Sequence, residues 1–287
     1  MLVIASVLLQ AGSQTRTPAV SSTRPPVKAM RSPLTTLAAF IQASEKPPPG
    51  NATLVISTQT NGSSPPQVGA NLYTDSGAYY WAPAESGLPE AIADHENLAN
   101  GVDAREVAAA LYAENGDLAT ARIQMVNATP NPFGLGSAGT GAGQGRKNSA
   151  AIKAARRYHE IKAHSTPPTR ADRQEEIDNY IWNNCVDALT EGAGNPQVRA
   201  GVLRLLSTVP EVTVSHSVTD GQPTLTLTAG RALFAGIVQQ VLTINAKTGI
   251  PISSVSGIPG QKPSSVVTFR VSRVTVADIA AGDFMNH

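Results

Sequence analysis

From Glu211 to the C-terminus the chain carries little besides strand signals, and this run constrains the fold more than any other feature. In "VTVSHSV" the residues Val212, Val214, His216 and Val218 alternate with Ser and Thr, the period of two that marks a strand. "TDGQP" then turns the chain into "TLTLTAG", and "VQQVLTINAKTGIPISSVSG" reads as a hairpin with Gly249 left-handed in its tight "NAKTG" loop. "SSVVTFRVSRVTV" forms a last long strand. With its turn and hairpin, this run points to a largely antiparallel sheet.

A second set of strands stands near the N-terminus. Ser32 caps a short amphipathic helix in "SPLTTLAAFIQAS", with Leu34, Leu37, Ala38 and Ile41 on one face. "KPPPGN" ends it, and "ATLVISTQT", "VGANLYT" and "AYYWAPA" follow as an antiparallel meander.

Between the two strand sets lies a helical block. "DAREVAAALYAENGDLATARIQMVNAT" predicts two short helices parted by Asn115-Gly116. A longer helix runs from about Ala171 to Glu191 with Ile177, Ile181, Val186 and Leu189, and Pro196 opens another that reaches Val209. Strands, helices and strands again predict an α+β fold, in which a curved, largely antiparallel β-sheet wraps around a central helical block.

The chemistry-bearing motifs reduce quickly. In "PNPFGLGSAGTGAGQGRKNS" the residues Gly134, Gly136 and Gly139 match G-x-G-x-x-G. A dinucleotide loop needs a buried strand before the first glycine and a helix at the last, and here two prolines precede and further glycines follow. Residues 130–149 therefore read as a flexible glycine-rich loop. "HEIKAH" spaces His159 and His164 by five residues where a zinc hydrolase needs four, so the two imidazoles diverge on a helix. Cys185 is the single cysteine, which excludes a disulfide framework and multi-cysteine metal sites, and its helical surroundings place it in the core. His216 belongs with the valine face of its strand, at the core or its margin. No G-x-S-x-G is present. These readings leave no catalytic residue, no metal ligand and no cofactor to expect.

A formal charge of +1, from 22 basic and 21 acidic residues, gives no reason to expect nucleic acid as a partner. The basic cluster of Arg146, Lys147, Lys153, Arg156, Arg157 and Lys162 precedes Asp172, Glu175, Glu176 and Asp178, which offset it on a solvated face. The apolar run Leu2–Leu9 is too short to cross a bilayer, and Gln14–Pro26 is a Ser/Thr/Pro-rich tether. Residues 1–31 thus read as the stub of a membrane anchor plus tether, and 32–287 as one extracytoplasmic domain. Aromatic residues are few. Tyr180 and Trp182 on the long helix are expected to pack across the sheet. Tyr73, Tyr80 and Trp81 are the candidate lining of an apolar cleft.

"DNYIWNNCVDALTEGAGNPQVRAGVLRLLSTVPEVTV", "TDGQPTLTLTAG", "LTINAKTGIPIS", "VSRVTVADI", "LYTDSGAYYWAPAESGLP" and "DAREVAAALYAENGDLATAR" together resemble a group of actinobacterial proteins. Its members join a cytoplasmic N-terminus and one membrane helix to an extracytoplasmic domain, often encoded beside extracytoplasmic-function sigma factors. The C-terminal strands, with their Asx-x-x-T-G hairpin, are similar to the lipoprotein-carrier class, in which a curved sheet wraps around helices. The group has no established activity, so no site residue is carried over. This chain departs from the group in lacking the cytoplasmic segment and a complete membrane helix. The resemblance implies a non-enzymatic, membrane-anchored binding or sensing module for an apolar or lipid-like ligand. The alternative it implies is a protein-interaction domain that engages a cell-envelope partner in a sigma-factor signalling system.

Overall fold

Helix α1 (Pro33–Ser44) begins the described part of a computed structural model, which covers residues 32–44, 46, 48–129, 170–234 and 236–284. The anchor stub and tether, the 130–149 loop, the His159/His164 pair and the basic cluster all lie outside the described residues.

The meander follows α1 as β1 (Ala52–Asn61), β2 (Gln67–Thr74) and β3 (Tyr79–Ala82). Helices α2 (Leu88–Ala93), α3 (Val102–Asn115), α4 (Leu118–Val126), α5 (Arg170–Glu191) and α6 (Pro196–Leu206) come next. Strands β4 (Val212–Thr219), β5 (Gln222–Ala229), β6 (Gln239–Asn245), β7 (Pro251–Gly257) and β8 (Ser265–Val274) follow, and α7 (Val276–Ala280) closes the described chain. Asp117 caps α4 by accepting from the Thr120 N–H at 2.8 Å, and Asn195 caps α6 ahead of Pro196. Gly249 ends the β6–β7 turn at φ 70°.

One open, curved sheet holds all eight strands in the order β3-β2-β1-β8-β7-β6-β5-β4, with every pairing antiparallel. The N-terminal meander and the C-terminal strands join where β1 pairs with β8 along its whole length, Ala52 opposite Val274 and Asn61 opposite Ser265. The architecture is thus the α+β arrangement expected from the order of the elements, and Ser32–His287 forms a single unit.

The two sheet faces carry different cores. Over β4–β6 one face packs Leu225, Leu227, Ala229 and Leu242 against α1, α3, α4, α5 and α6, with Leu37, Ile41, Trp182, Leu189 and Leu203 among the buried helical partners. At the other end of the sheet the opposite face buries Leu54, Ala70, Leu72 and Val274 beneath Leu88 of α2 and Ile279 of α7. Both small helices escape a reading by periodicity, since neither is long enough to show an apolar stripe.

Among the contacts that tie the helical block together, two are the closest in kind to a lock. Gly201 of α6 crosses α3 so closely that a Cβ would stand 1.8 Å from the Ala110 carbonyl oxygen. Arg122 of α4 pairs with Asp178 of α5 and donates to the Thr208 Oγ1 at 2.5 Å, while Gln174 donates to the second Asp178 oxygen at 3.1 Å. Asp178 is fully buried. It turns inward to Arg122, where the sequence suggested a solvated charge.

His216 also departs from expectation: it is exposed. Strand β4 is the last in the sheet and runs past the helices, so only its first valines, Val212 and Val214, reach the core. Period-two alternation assigns His216 to the right face, but that face is uncovered at this point.

Candidate functional site

Register carries one sheet face from the sealed core into a half-covered strip. Leu242 sits opposite Ser254, Ser254 opposite Val267, and Val267 opposite Gln59. Directly opposed residues share a face, as do alternate residues along each strand. The face that meets the helices over β4–β6 therefore continues through Val267, Phe269, Val271 and Arg273 of β8. On β1 it holds Thr53, Val55, Ser57 and Gln59, and beyond them Asn71 and Tyr73 of β2 and Tyr79 and Trp81 of β3.

Cover along this strip is graded. Thr53 and Val55 are buried where the α5–α6 link passes: a Cβ on Gly194 would stand 2.9 Å from the Thr53 Oγ1 and 3.1 Å from the Arg273 Cδ. Ser57, Gln59, Asn71, Tyr73, Tyr79, Val267, Phe269 and Val271 are half-buried, and Trp81 at the rim is 44% exposed.

The aromatic part is held by stacking and hydrogen bonds. Tyr73 and Tyr79 are opposed across β2 and β3, and their rings stack with centroids 4.7 Å apart and planes 6° apart. The Tyr79 hydroxyl donates to Asn71 Oδ1 at 2.9 Å. Asn71 Nδ2 in turn lies 3.2 Å from the Val55 carbonyl oxygen and 3.4 Å from the Ser57 hydroxyl. The Trp81 indole lies over Gly69, where an added Cβ would stand 2.9 Å from its Nε1. A side chain at position 69 would lift the indole from the sheet.

Of the three candidate lining residues, Tyr73 and Trp81 stand on the strip, whereas Tyr80 faces the other way. Tyr80 is opposed to Leu72 and packs in the core under α2 and α7. Tyr79 takes the place beside Tyr73 that sequence grouping gave to Tyr80. Asn71, Ser57, Val267 and Phe269 were not picked out from sequence. The alternation of β2 and β3 separates Tyr80 from Tyr79 and Trp81, but only the pairing of β1 with β8 brings Phe269 alongside them.

Tyr180 and Trp182 take the packing role expected of them. Tyr180 is half-buried against the helical core, and Trp182 is fully buried, its indole N–H donating to Gln240 Oε1 at 2.7 Å. Cys185 is also buried in this core, and burial pushes its thiol well above the usual range. Glu106 adds to that rise and Arg122 opposes it. A neutral, inaccessible thiol does not serve as a nucleophile.

Asp103 and Glu106 of α3 and Glu191 of α5 bring carboxylate oxygens within 4.8 Å of one another, Glu106 and Glu191 being buried. No sequence spacing announces this group, because α3 and the end of α5 meet only in the fold. Grouped carboxylates alone do not define a metal centre.

Fold and strip together describe an open antiparallel α+β protein, one face of whose sheet is sealed by helices at one end and half-covered at the other. No protein-family model, curated protein or solved structure matches the chain.

Proposed function

We propose that the chain is a non-enzymatic binding or sensing module that holds an apolar or amphipathic, lipid-like ligand along the strip of β8, β1, β2 and β3. One observation carries this reading: the face that is sealed by helices over β4–β6 is only half-buried where Val267, Phe269, Val271, Tyr73 and Tyr79 stand, and is open at Trp81. Ligand sites are mostly apolar surfaces with a few placed polar groups, and here Ser57, Asn71 and the Tyr79 hydroxyl supply that polar patch. The apolar N-terminal run and tether support an extracytoplasmic setting with a membrane anchor. Among the described residues no helix is long and apolar enough to cross a membrane.

Exposed apolar side chains at the β3 edge favour a second reading, a protein-interaction domain for a cell-envelope partner. Leu98, whose N–H bonds to the Tyr79 carbonyl oxygen at 2.8 Å, is exposed, as is Trp81.

The two tryptophans allow a direct test. Trp182 is sealed and 1% exposed, so a change in emission on titration reports Trp81. The full chain titrated with a single-chain phospholipid should give a blue-shifted Trp81 emission that a Trp81→Phe variant lacks, and native mass spectrometry should show a one-to-one adduct. Unchanged emission with no adduct would rule out the lipid reading and leave the protein-interaction one.

A further inference from the structure

The two edges of the sheet are finished differently. Strand β3 is four residues long, and the outward groups of Tyr79 are occupied: its N–H bonds to Asn97 Oδ1 at 3.1 Å and its carbonyl accepts from the Leu98 N–H. The other edge, β4, has eight residues, all in continuous register with β5. It contains no charged residue, no proline and no bulge, the usual devices that keep an edge from pairing. Among the described residues only β5 pairs with it.

The turn fixes which backbone groups point outward. Asp220 and Gly221, at φ 51° and 75°, form a two-residue turn closed by Thr219 opposite Gln222. Left-handed conformation at both central residues marks the turn whose closing pair exchanges both hydrogen bonds. Thr219 therefore directs its backbone to β5, and so do Ser217, Ser215 and Thr213 by alternation. Glu211 keeps the parity, its carbonyl accepting from the Gly230 N–H at 3.3 Å. The residues that direct both N–H and C=O away from the sheet are then Val214, His216 and Val218. The Val212 N–H is already bonded to the Val209 carbonyl at 3.2 Å.

We infer that β4 is a self-pairing edge, joining a second copy of this chain in an antiparallel, twofold-symmetric dimer centred on His216. The three outward residues are symmetric about His216. Val214 of one copy then opposes Val218 of the other, and His216 opposes its own equivalent. All outward groups of the three residues find partners, and no charged residue faces another. Moving the axis toward the start of the strand would enlist the occupied Val212 N–H. The exposed Val218, at 71% the most open large apolar side chain described, would gain cover against its partner. Two strands alone give an interface at the small end of specific contacts, so association is weak and concentration-dependent. This surface lies at the opposite edge of the sheet from the strip and does not depend on its occupancy.

Sedimentation equilibrium of the full chain, between micromolar and near-millimolar concentration, tests the dimer. The mean mass should rise from 29.8 kDa toward twice that value. Val218→Pro removes one outward N–H at a position where an edge strand tolerates proline, and should remain monomeric with an unchanged far-ultraviolet spectrum. His216→Lys, at an exposed position, places two positive charges face to face and should abolish association without altering the fold. Mild oxidation of His216→Cys should cross-link two chains, since opposed residues of a hydrogen-bonded pair lie about 5.5 Å apart, within the reach of a disulfide. A wild-type mass that stays at 29.8 kDa throughout overturns the inference. So does undiminished association of His216→Lys, or equally ready cross-linking of Thr213→Cys, whose backbone points to β5.

Discussion

Tyr73 and Tyr79 lie flat against each other across β2 and β3, and the hydroxyl of Tyr79 reaches Asn71 on the same face. The stack sets the height of the aromatic floor on which the strip is built, and the hydroxyl anchors the amide that binds Val55 and Ser57. Tyr79→Phe keeps the stack and loses one hydrogen bond, so its melt should show a loss of about 1 kcal/mol. Tyr79→Ala also loses the ring pair, worth about 0.5–1.5 kcal/mol beyond its buried area. If the strip binds lipid, Tyr79→Ala should weaken binding more than Tyr79→Phe in the fluorescence titration.

Arg122 and Asp178 bind α4 to α5 with the carboxylate fully buried. Removing the cation alone strands that charge, and Arg122→Met should cost about 3–5 kcal/mol in chemical denaturation. Arg122→Met combined with Asp178→Leu should recover most of the loss, because an apolar pair carries no desolvation penalty.

The contact between Gly201 and the Ala110 carbonyl leaves no room for a methyl group, and backbone stands on both sides of it. Gly201→Ala should cost more than about 3 kcal/mol, beyond the usual range for an overpacked side chain, since α3 and α6 must move apart. Gly221→Ala, where a Cβ meets no atom within 4 Å, should cost far less and only through its positive φ. Urea midpoints of the two variants check the contrast.

Cys185 should resist maleimide in the folded protein at mildly alkaline pH and react at once in denaturant, as mass spectrometry of the intact chain would record. Its thiol pKa is raised in the fold, mainly by burial, so the folded state keeps a proton that the unfolded chain releases from about pH 8.5. This contribution is complete below that pH and is lost as pH rises above it. Cys185→Ser should show a shallower alkaline loss of stability than the wild type.

Much of the fold was legible in local pattern. The face of α1 holding Leu34, Leu37, Ala38 and Ile41 is buried as its spacing implied, and the "NAKTG" turn carries its left-handed Gly249. Features set by distant partners were not legible. Nothing near Phe269 signals that it will lie beside Ser57, and nothing near Gly201 signals Ala110. His216 shows the boundary between the two: alternation gives its face, but only strand order reveals that β4 stands alone at the edge. Tyr80 was separable from Tyr79 and Trp81 by the same alternation, a constraint that grouping aromatic residues by proximity in sequence overlooks.

The seam between β1 and β8 sets a timetable for folding. The Val276 N–H bonds to the Asn51 side chain across 225 residues of sequence, and β1 has no second neighbour until the last strand has been made. While the chain is being synthesised, β1–β3 can form only a three-stranded meander whose β1 edge stays open, and its core must wait for Val274 and Ile279. Closure of such distant contacts is slow. The sheet therefore stays incomplete until β8 has been made, and a truncation that removes β8 should yield a protein with both halves of the sheet unjoined.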